Sequence, residues 1–128
     1  MNNAQKHTEG QAMVMVMILA VVGISVVTAS TAVTIASSQN ASSFTKSEIA
    51  YSQAEAGIEN AIISIIRDNS YSGETLTLGE GTVVVTVSGD LTKTITAVST
   101  YGAVVRTVEA TGTITNTVFA VTSWGEVP

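Results

Sequence analysis

The sequence predicts an α+β fold, in which one long N-terminal helix packs its C-terminal half on a small antiparallel β-sheet. Up to Asp68 the pattern is helical: an uncharged apolar run, Gln11 to Ile35, precedes apolar residues spaced three and four apart. From Glu74 onward the apolar spacing changes to two, which is typical of strands joined by short turns. The expected layout is a protruding apolar helix that carries a small β domain.

The apolar run is long enough to cross a membrane. Residues 12–27 are apolar except for Gly23 and Ser25, and no charged residue follows Gln11 until Lys46. A bilayer core of about 30 Å requires about 20 mostly apolar residues in a helix. The alternative is a buried helix of a globular protein. It is disfavoured because a chain of 128 residues has no second layer large enough to surround this run.

The first ten residues, 1–10, form a short polar leader that contains Lys6 and His7 and ends at Gly10. A secretory signal peptide has an apolar region of only about 7–15 residues before its cleavage site. The run here is longer, although residues 29–32 (Ala-Ser-Thr-Ala) offer a signal-peptidase site and leave a secreted protein as an alternative. A polar leader ending in Gly instead fits a signal that is cut on the cytoplasmic side, so that the helix stays on the mature protein.

Residues 37–69 are predicted to continue the helix in amphipathic form, because they lack proline and an apolar stripe recurs at helical spacing. The sequence predicts one helix from about Gln11 to about Asp68, weakest near residues 37–43 and roughly 85 Å long. Glutamates line a different, solvated face of the helix. Arg67 lies in the last turn, where a cation interacts favourably with the helix dipole. The stripe consists of Ala54, Ile58, Ala61, Ile62 and Ile65.

Residues 74–128 are predicted to form an antiparallel meander, with one sheet face covered by the helical stripe. Turns are expected at residues 88–90 and at Tyr101-Gly102, and Gly112 is expected to interrupt the fourth strand before residues 113–115. The strands are predicted near residues 75–78, 83–88, 91–100, 104–111 with 113–115, and 118–124.

Composition argues against several classes of function. The chain has no cysteine, so neither a disulfide nor a thiolate metal site is available. Its net charge of −5 disfavours binding to nucleic acid through a basic patch. The single histidine, His7, lies in the leader, and Glu55 and Glu59 are expected on an exposed helix without a cleft. We therefore expect no catalysis, no metal and no cofactor.

Two segments of the chain form distinctive motifs. The first segment is Gly10-Gln11-Ala-Met-Val-Met-Val after a polar leader. The second is Ala54-Glu-Ala-Gly-Ile-Glu-Asn-Ala61, some 40 residues later. Together they resemble type IV pilin-like proteins, and more closely the PilX-type (GspK-like) minor pilins, which are pilus assembly proteins. The resemblance covers about residues 10–68, roughly half of the chain, and the β region matches only in its general pattern.

The resemblance implies processing by a prepilin peptidase between Gly10 and Gln11, which would leave Gln11 as an N-methylated terminus. Lys6 would stay in the cytoplasm, in keeping with the positive-inside rule. Glu9 departs from the basic residue often found before the cut. The alternative is that Gly10 is an ordinary glycine at the edge of an uncleaved anchor.

Met15 is the largest departure from the family pattern, because major pilins resemble one another in having glutamate at this fifth mature position. That glutamate is thought to neutralise the N-terminal amine of the neighbouring subunit. The presence of Met15 in place of this glutamate fits the branch of the family that is placed at the tip of the filament or in the initiating complex. It argues against this chain being the major fibre subunit.

Small residues at helical spacing are candidates for contacts between helices. Gly57 and Ala61 allow close backbone approach, either for assembly or for packing under the sheet. Glu55 and Glu59 are assigned to the junction between helix and sheet, where Glu55 would fix the junction or contact an adjacent subunit. The alternative for both is a solvated helical face. In the apolar half, the assembly helix includes the small residues Gly23, Ser25, Ala29, Ala32 and Ala36, as well as Met15.

The sequence thus predicts a structural subunit of a type IV pilus or pseudopilus. The expected partners are other pilin subunits, the membrane before assembly and a prepilin peptidase. The chain is expected to cross the membrane once with a cytoplasmic N-terminus, and then to reach the cell surface in a fimbrium with an adhesive role. The alternative from another class is a solitary membrane-anchored β domain acting as a surface binding module.

Overall fold

The structure, a computed structural model, describes the backbone of residues 3–128 and the side chains of residues 9–128. The leader side chains of Lys6 and His7 therefore lie outside the described residues. The element order is one helix followed by five strands, which confirms the α+β prediction. The elements are α1 (Asn3–Arg67), β1 (Gly73–Leu78), β2 (Gly81–Ser88), β3 (Thr92–Tyr101), β4 (Val104–Thr115) and β5 (Val118–Val127).

Helix α1 has no break within its bounds, because the chain has no proline before Pro128. The predicted weak stretch at residues 37–43 is helical throughout. The helix ends at Arg67, after which the Asp68 amide still donates to the Ser64 carbonyl over 2.8 Å. Ser70 then donates to the Asp68 carboxylate from its amide (2.9 Å) and its hydroxyl (2.6 Å), which stabilises the turn after the helix.

The chain divides into two compact units, Met1–Ala41 and Ser42–Pro128. In the described part of the first unit, from Glu9 onward, every side chain is exposed. The second unit contains the end of α1 and the whole sheet, and it holds the buried hydrophobic core.

The five strands form one antiparallel sheet in the order β1-β2-β3-β4-β5, which is the predicted meander. Burial alternates along the strands, so Val83, Val85, Ile95 and Ala97 face α1 while their neighbours face away. Threonines occupy many of the positions facing away, where β-branched residues favour the strand without requiring burial.

The fourth and fifth strands differ in detail from the sequence prediction. Gly112 does not end the fourth strand, because β4 continues through it to Thr115. The ladder shifts instead at Thr111/Gly112: Ser123 pairs with Thr111 and Val121 with Gly112, so Thr122 is an extra residue on β5. The β5 strand also runs to Val127, three residues further than predicted.

Candidate assembly helix and helix–sheet junction

The apolar half of α1 presents its large side chains to the outside. Between Met13 and Ile35 the large apolar residues are 55–76% exposed. The helix that includes this half is long and apolar enough to cross a membrane by length and composition. An apolar surface of this extent is unfavourable in water, so lipid or other apolar helices are needed to cover it.

Hydroxyl groups in this half are satisfied within the helix. Ser25 donates to the Val21 carbonyl over 2.8 Å, and Thr28 donates to the Ile24 carbonyl over 2.9 Å. Further donors bond in the same way to the carbonyl four residues earlier: Ser30, Thr31 and Thr34. Because these hydroxyls already have partners, they can enter an apolar environment at low cost.

The predicted assembly residues lie on this exposed half. Gly23 lies in a shallow apolar groove of about 430 Å³, whose wall includes Ala20 and Val27, and a Cβ added at Gly23 would meet nothing within 4 Å. Met15 lines a second groove with Leu19 and Val22. The remaining predicted residues are all exposed: Gly10, Gln11, Ser25, Ala29, Ala32 and Ala36.

The predicted apolar stripe packs on the sheet as expected. The stripe forms a hydrophobic core with the helix-facing residues of β2, β3 and β4, and Ile62 is half-buried against this core. Gly57 is buried as well, and a Cβ there would lie 2.7 Å from Val83 Cγ1. The absence of a side chain at Gly57 therefore allows the helix to pack closely under the sheet. The stripe residues with no exposed surface are Ala54, Ile58, Ala61 and Ile65.

The two glutamates of the second motif have different surroundings. Glu59 is exposed, whereas Glu55 is half-buried and accepts a hydrogen bond from the Tyr51 phenol. That hydrogen bond is the main reason why the pKa of Tyr51 is raised, with burial and the nearby Glu126 carboxylate adding to it. Glu55 therefore lies at the edge of the junction, while Glu59 belongs to the solvated face.

Two polar residues that were not predicted from the sequence connect the sheet to the helix and to the turn that follows it. Gln53 donates from Nε2 to the Leu78 carbonyl over 2.7 Å, and its Oε1 accepts from the buried Ser99 hydroxyl over 3.3 Å. Lys93, only 5% exposed, donates from Nζ to the Asn69 carbonyl over 2.7 Å. Lys93 and Ser99 share the strand phase of Ile95, and this alternation is the sequence signal that could have indicated their burial.

A smaller polar network joins the helix to the β1 edge. Glu74 Oε1 accepts from Asn60 Nδ2 over 2.8 Å and from the Tyr71 hydroxyl over 2.9 Å. Burial of the Tyr71 phenol, its hydrogen bond to Glu74 and the charge of Glu74, in that order of importance, raise the pKa of Tyr71 to about 12. At the opposite edge, Arg106 and Glu126 form an ion pair at 2.7 Å.

The described residues include no group of three or more His, Cys, Asp or Glu side chains that could hold a metal ion. Comparison with protein-family models, with curated proteins and with solved structures finds no match to this chain. The long apolar helix and the small antiparallel sheet of this chain fit a pilin-like architecture.

Proposed function

We propose that this chain is a type IV pilin-like subunit of the minor or tip kind. It is held in the membrane by α1 and then assembled into a pilus or pseudopilus through the same helix. The observation that carries the proposal is the uncharged half of α1, whose large apolar side chains are more than half exposed. At about 25 cal/mol per Å² of apolar surface, leaving such a helix in water is strongly unfavourable.

The hydrogen bonds within the apolar half of α1 make it compatible with a membrane and with a bundle of other helices. Its backbone groups are paired within the helix, and its serine and threonine hydroxyls donate to carbonyls one turn earlier. A helix whose backbone and hydroxyl groups are paired internally is tolerated in lipid and also among other helices. Small residues such as Gly23 and Ala29 permit close approach of a neighbouring helix in either setting.

The proposed maturation begins with cleavage between Gly10 and Gln11 by a prepilin peptidase, followed by methylation of the new terminus. Lys6 in the leader supports a cytoplasmic N-terminus. The remainder of the chain, including the sheet, then lies outside the cytoplasm and reaches the surface with the filament. Its role is structural and adhesive, and its partners are other pilin subunits.

Met15 supports a minor or tip position rather than the fibre shaft. A shaft subunit contacts neighbours on both sides, and a carboxylate at this position would neutralise the next N-terminal amine. With Met15 there, the apolar half from Gln11 to Ile35 contains no carboxylate at all. The subunit is therefore best suited to a position with no subunit ahead of it.

The proposal is tested by mass spectrometry of the mature N-terminus, on protein taken from cell membranes and from sheared surface filaments. The expected result is a methylated Gln11 terminus in both fractions, with the chain present in small proportion to other subunits. A Met1 terminus restricted to membranes would instead assign a solitary anchored β domain. A terminus near residues 30–34 would assign a secreted protein.

Variants at the proposed cleavage site sharpen this test. Gly10→Val is expected to block cleavage and keep the chain in the membrane. Gly23→Ala is the matched control, because a Cβ at Gly23 meets nothing within 4 Å and cleavage should be unaffected. Normal maturation of Gly10→Val would contradict the proposed processing step.

A further inference from the structure

The β5 strand is an edge of the sheet, since the order is β1-β2-β3-β4-β5 and β5 pairs only with β4. It has ten residues, compared with six in the opposite edge strand β1. An edge strand presents unpaired backbone N–H and C=O groups, which are a template for another strand. The β5 strand contains neither proline nor lysine, which are the residues that most often block such pairing.

The side chains of β5 are unusually apolar for an edge strand. Val121 is 46% exposed and Trp124 is 38% exposed. Directly opposed residues of an antiparallel pair point to the same face, so Trp124, opposite the buried Ala110, lies on the helix-facing side. Val118 and Val127 are also exposed. The strand therefore offers apolar contacts beside its free backbone edge.

The bulge at Thr122 divides this edge into two parts. Beyond it, residues 123–127 pair regularly with β4, from Ser123 opposite Thr111 to Val127 opposite Thr107. A bulge interrupts the ladder locally and hinders pairing across it. The regular part, residues 123–127, is therefore the part of the edge that can receive a strand.

Acidic groups surround this part of β5. Glu126 faces the helix side of the sheet. The Glu55, Glu126 and Glu48 carboxylates all raise the pKa of Tyr51. On the other face, Glu109 lies opposite Gly125, which has no side chain to cover it. Arg106 contributes a guanidinium to this edge, where it forms an ion pair with Glu126 at 2.7 Å. The Glu55 and Glu109 carboxylates have no ion-pair partner at this edge in the described structure.

We propose that residues 123–127 of β5 accept a β-strand from a partner protein that alternates apolar residues with lysine or arginine. The backbone edge supplies the hydrogen bonds of strand addition, Trp124 supplies an apolar contact, and the carboxylates select a basic strand. A second copy of this chain is disfavoured as the partner, because its net charge is −5. The inference concerns the unit Ser42–Pro128 and does not depend on the pilus assignment.

The test uses the full chain in detergent micelles at low salt and short synthetic peptides. Trp124 is the only tryptophan, so its emission reports directly on this edge. A peptide that alternates valine and lysine is expected to shift the emission to shorter wavelength and to saturate. The matched peptide with glutamate in place of lysine should bind about tenfold more weakly, because it repels the same carboxylates.

Two further measurements distinguish strand addition from adsorption. Bound peptide is expected to protect the backbone amides of residues 123–127 from hydrogen exchange. A valine–lysine peptide carrying proline in place of alternate valines should lose this protection, since it cannot donate the required hydrogen bonds. Equal binding of the proline and parent peptides, or equal binding of the glutamate and lysine peptides, would overturn the proposal.

Variants of the chain test whether the carboxylates beside β5 are what attract the lysine peptide. Glu55→Lys combined with Glu109→Lys is expected to weaken binding of the lysine peptide about tenfold. The matched control is Glu80→Lys combined with Asp90→Lys, which adds the same charge at exposed positions in the β1–β2 and β2–β3 turns and should leave binding nearly unchanged. An emission shift that grows with protein concentration in the absence of peptide would assign the edge to a second copy and reject the basic partner.

Discussion

Gly57 lies so close to Val83 that a Cβ on the glycine would be 2.7 Å from Val83 Cγ1. The same Cβ would lie 3.2 Å from Val85 Cγ2. Carbon atoms at optimal contact are about 3.5–4.0 Å apart, so even alanine at position 57 would force the sheet to move. The close contact between α1 and β2 therefore depends on the absence of a side chain at Gly57.

Gly57→Ala is expected to destabilise the unit 42–128 despite the better helix propensity of alanine. Overpacking a core costs about 1–3 kcal/mol, whereas replacing glycine by alanine in a helix gains about 1 kcal/mol. We expect a net loss of about 1 kcal/mol in the free energy of unfolding. Denaturant unfolding of the full chain in detergent, followed by Trp124 emission, measures it.

A double-mutant cycle supplies the control for this prediction. In a Val83→Ala background the space opposite Gly57 is open, so Gly57→Ala should become neutral or stabilising. Ala56→Gly on the exposed side of the same turn should cost only the propensity difference of about 1 kcal/mol. If Gly57→Ala costs the same with Val83 and with Ala at position 83, the proposed close contact is wrong.

Gln53→Leu is expected to destabilise the junction at the turn between β1 and β2. The amide of Gln53 donates to the Leu78 carbonyl and accepts from Ser99, so leucine would leave the buried Ser99 hydroxyl without this acceptor. An unsatisfied buried polar group costs about 1–3 kcal/mol. Ser52→Ala, at the exposed neighbouring position, should change the unfolding free energy by no more than about 0.5 kcal/mol.

Lys93→Met is expected to loosen the segment that follows α1. The Lys93 ammonium donates to the Asn69 carbonyl and, at 3.4 Å, to the Gly89 carbonyl, and methionine retains the length without the donors. We expect a loss of about 1–3 kcal/mol and faster hydrogen exchange at residues 69–71. Lys46→Met, at an exposed position, is the control. Unchanged exchange at residues 69–71 in Lys93→Met would contradict this role.

Tyr71 is expected to make stability sensitive to alkaline pH. Its pKa rises from 10.0 to about 12 on folding, so the folded state holds the phenolic proton more tightly than the unfolded state. This contribution is fully present below pH 10 and is lost as the pH rises toward about 12. An absorbance titration of phenolate should show a late transition whose amplitude falls in Tyr71→Phe. Ionisation of Tyr71 near pH 10 would refute this.

Val22→Lys is expected to impair membrane insertion while leaving the sheet unit folded. A lysine near the centre of a spanning helix costs about 2.5–3.5 kcal/mol on insertion scales. Val22 is 56% exposed and does not belong to the hydrophobic core of the unit Ser42–Pro128. Alkaline extraction of membranes should release more of this variant than of the control Thr45→Lys. Equal extraction would argue against a membrane role for this half.

Much of the fold followed from periodicity alone. Spacings of three and four placed Ala54, Ile58, Ala61 and Ile65 on one helical face, and alternation placed Ile95 and Ala97 on one strand face. The structure buries both sets against each other. Local patterns sufficed here because the two periods, 3.6 and 2, follow directly from backbone geometry.

The sequence by itself determined a long uncharged apolar helix and the residues that face the core, because hydropathy and period are local properties of the chain. The tertiary structure decided how close the two layers come at Gly57, which polar groups connect them at Gln53 and Lys93, and where Thr122 interrupts the β5 ladder. Such features depend on atoms brought together from distant parts of the chain, and no local pattern specifies those distances.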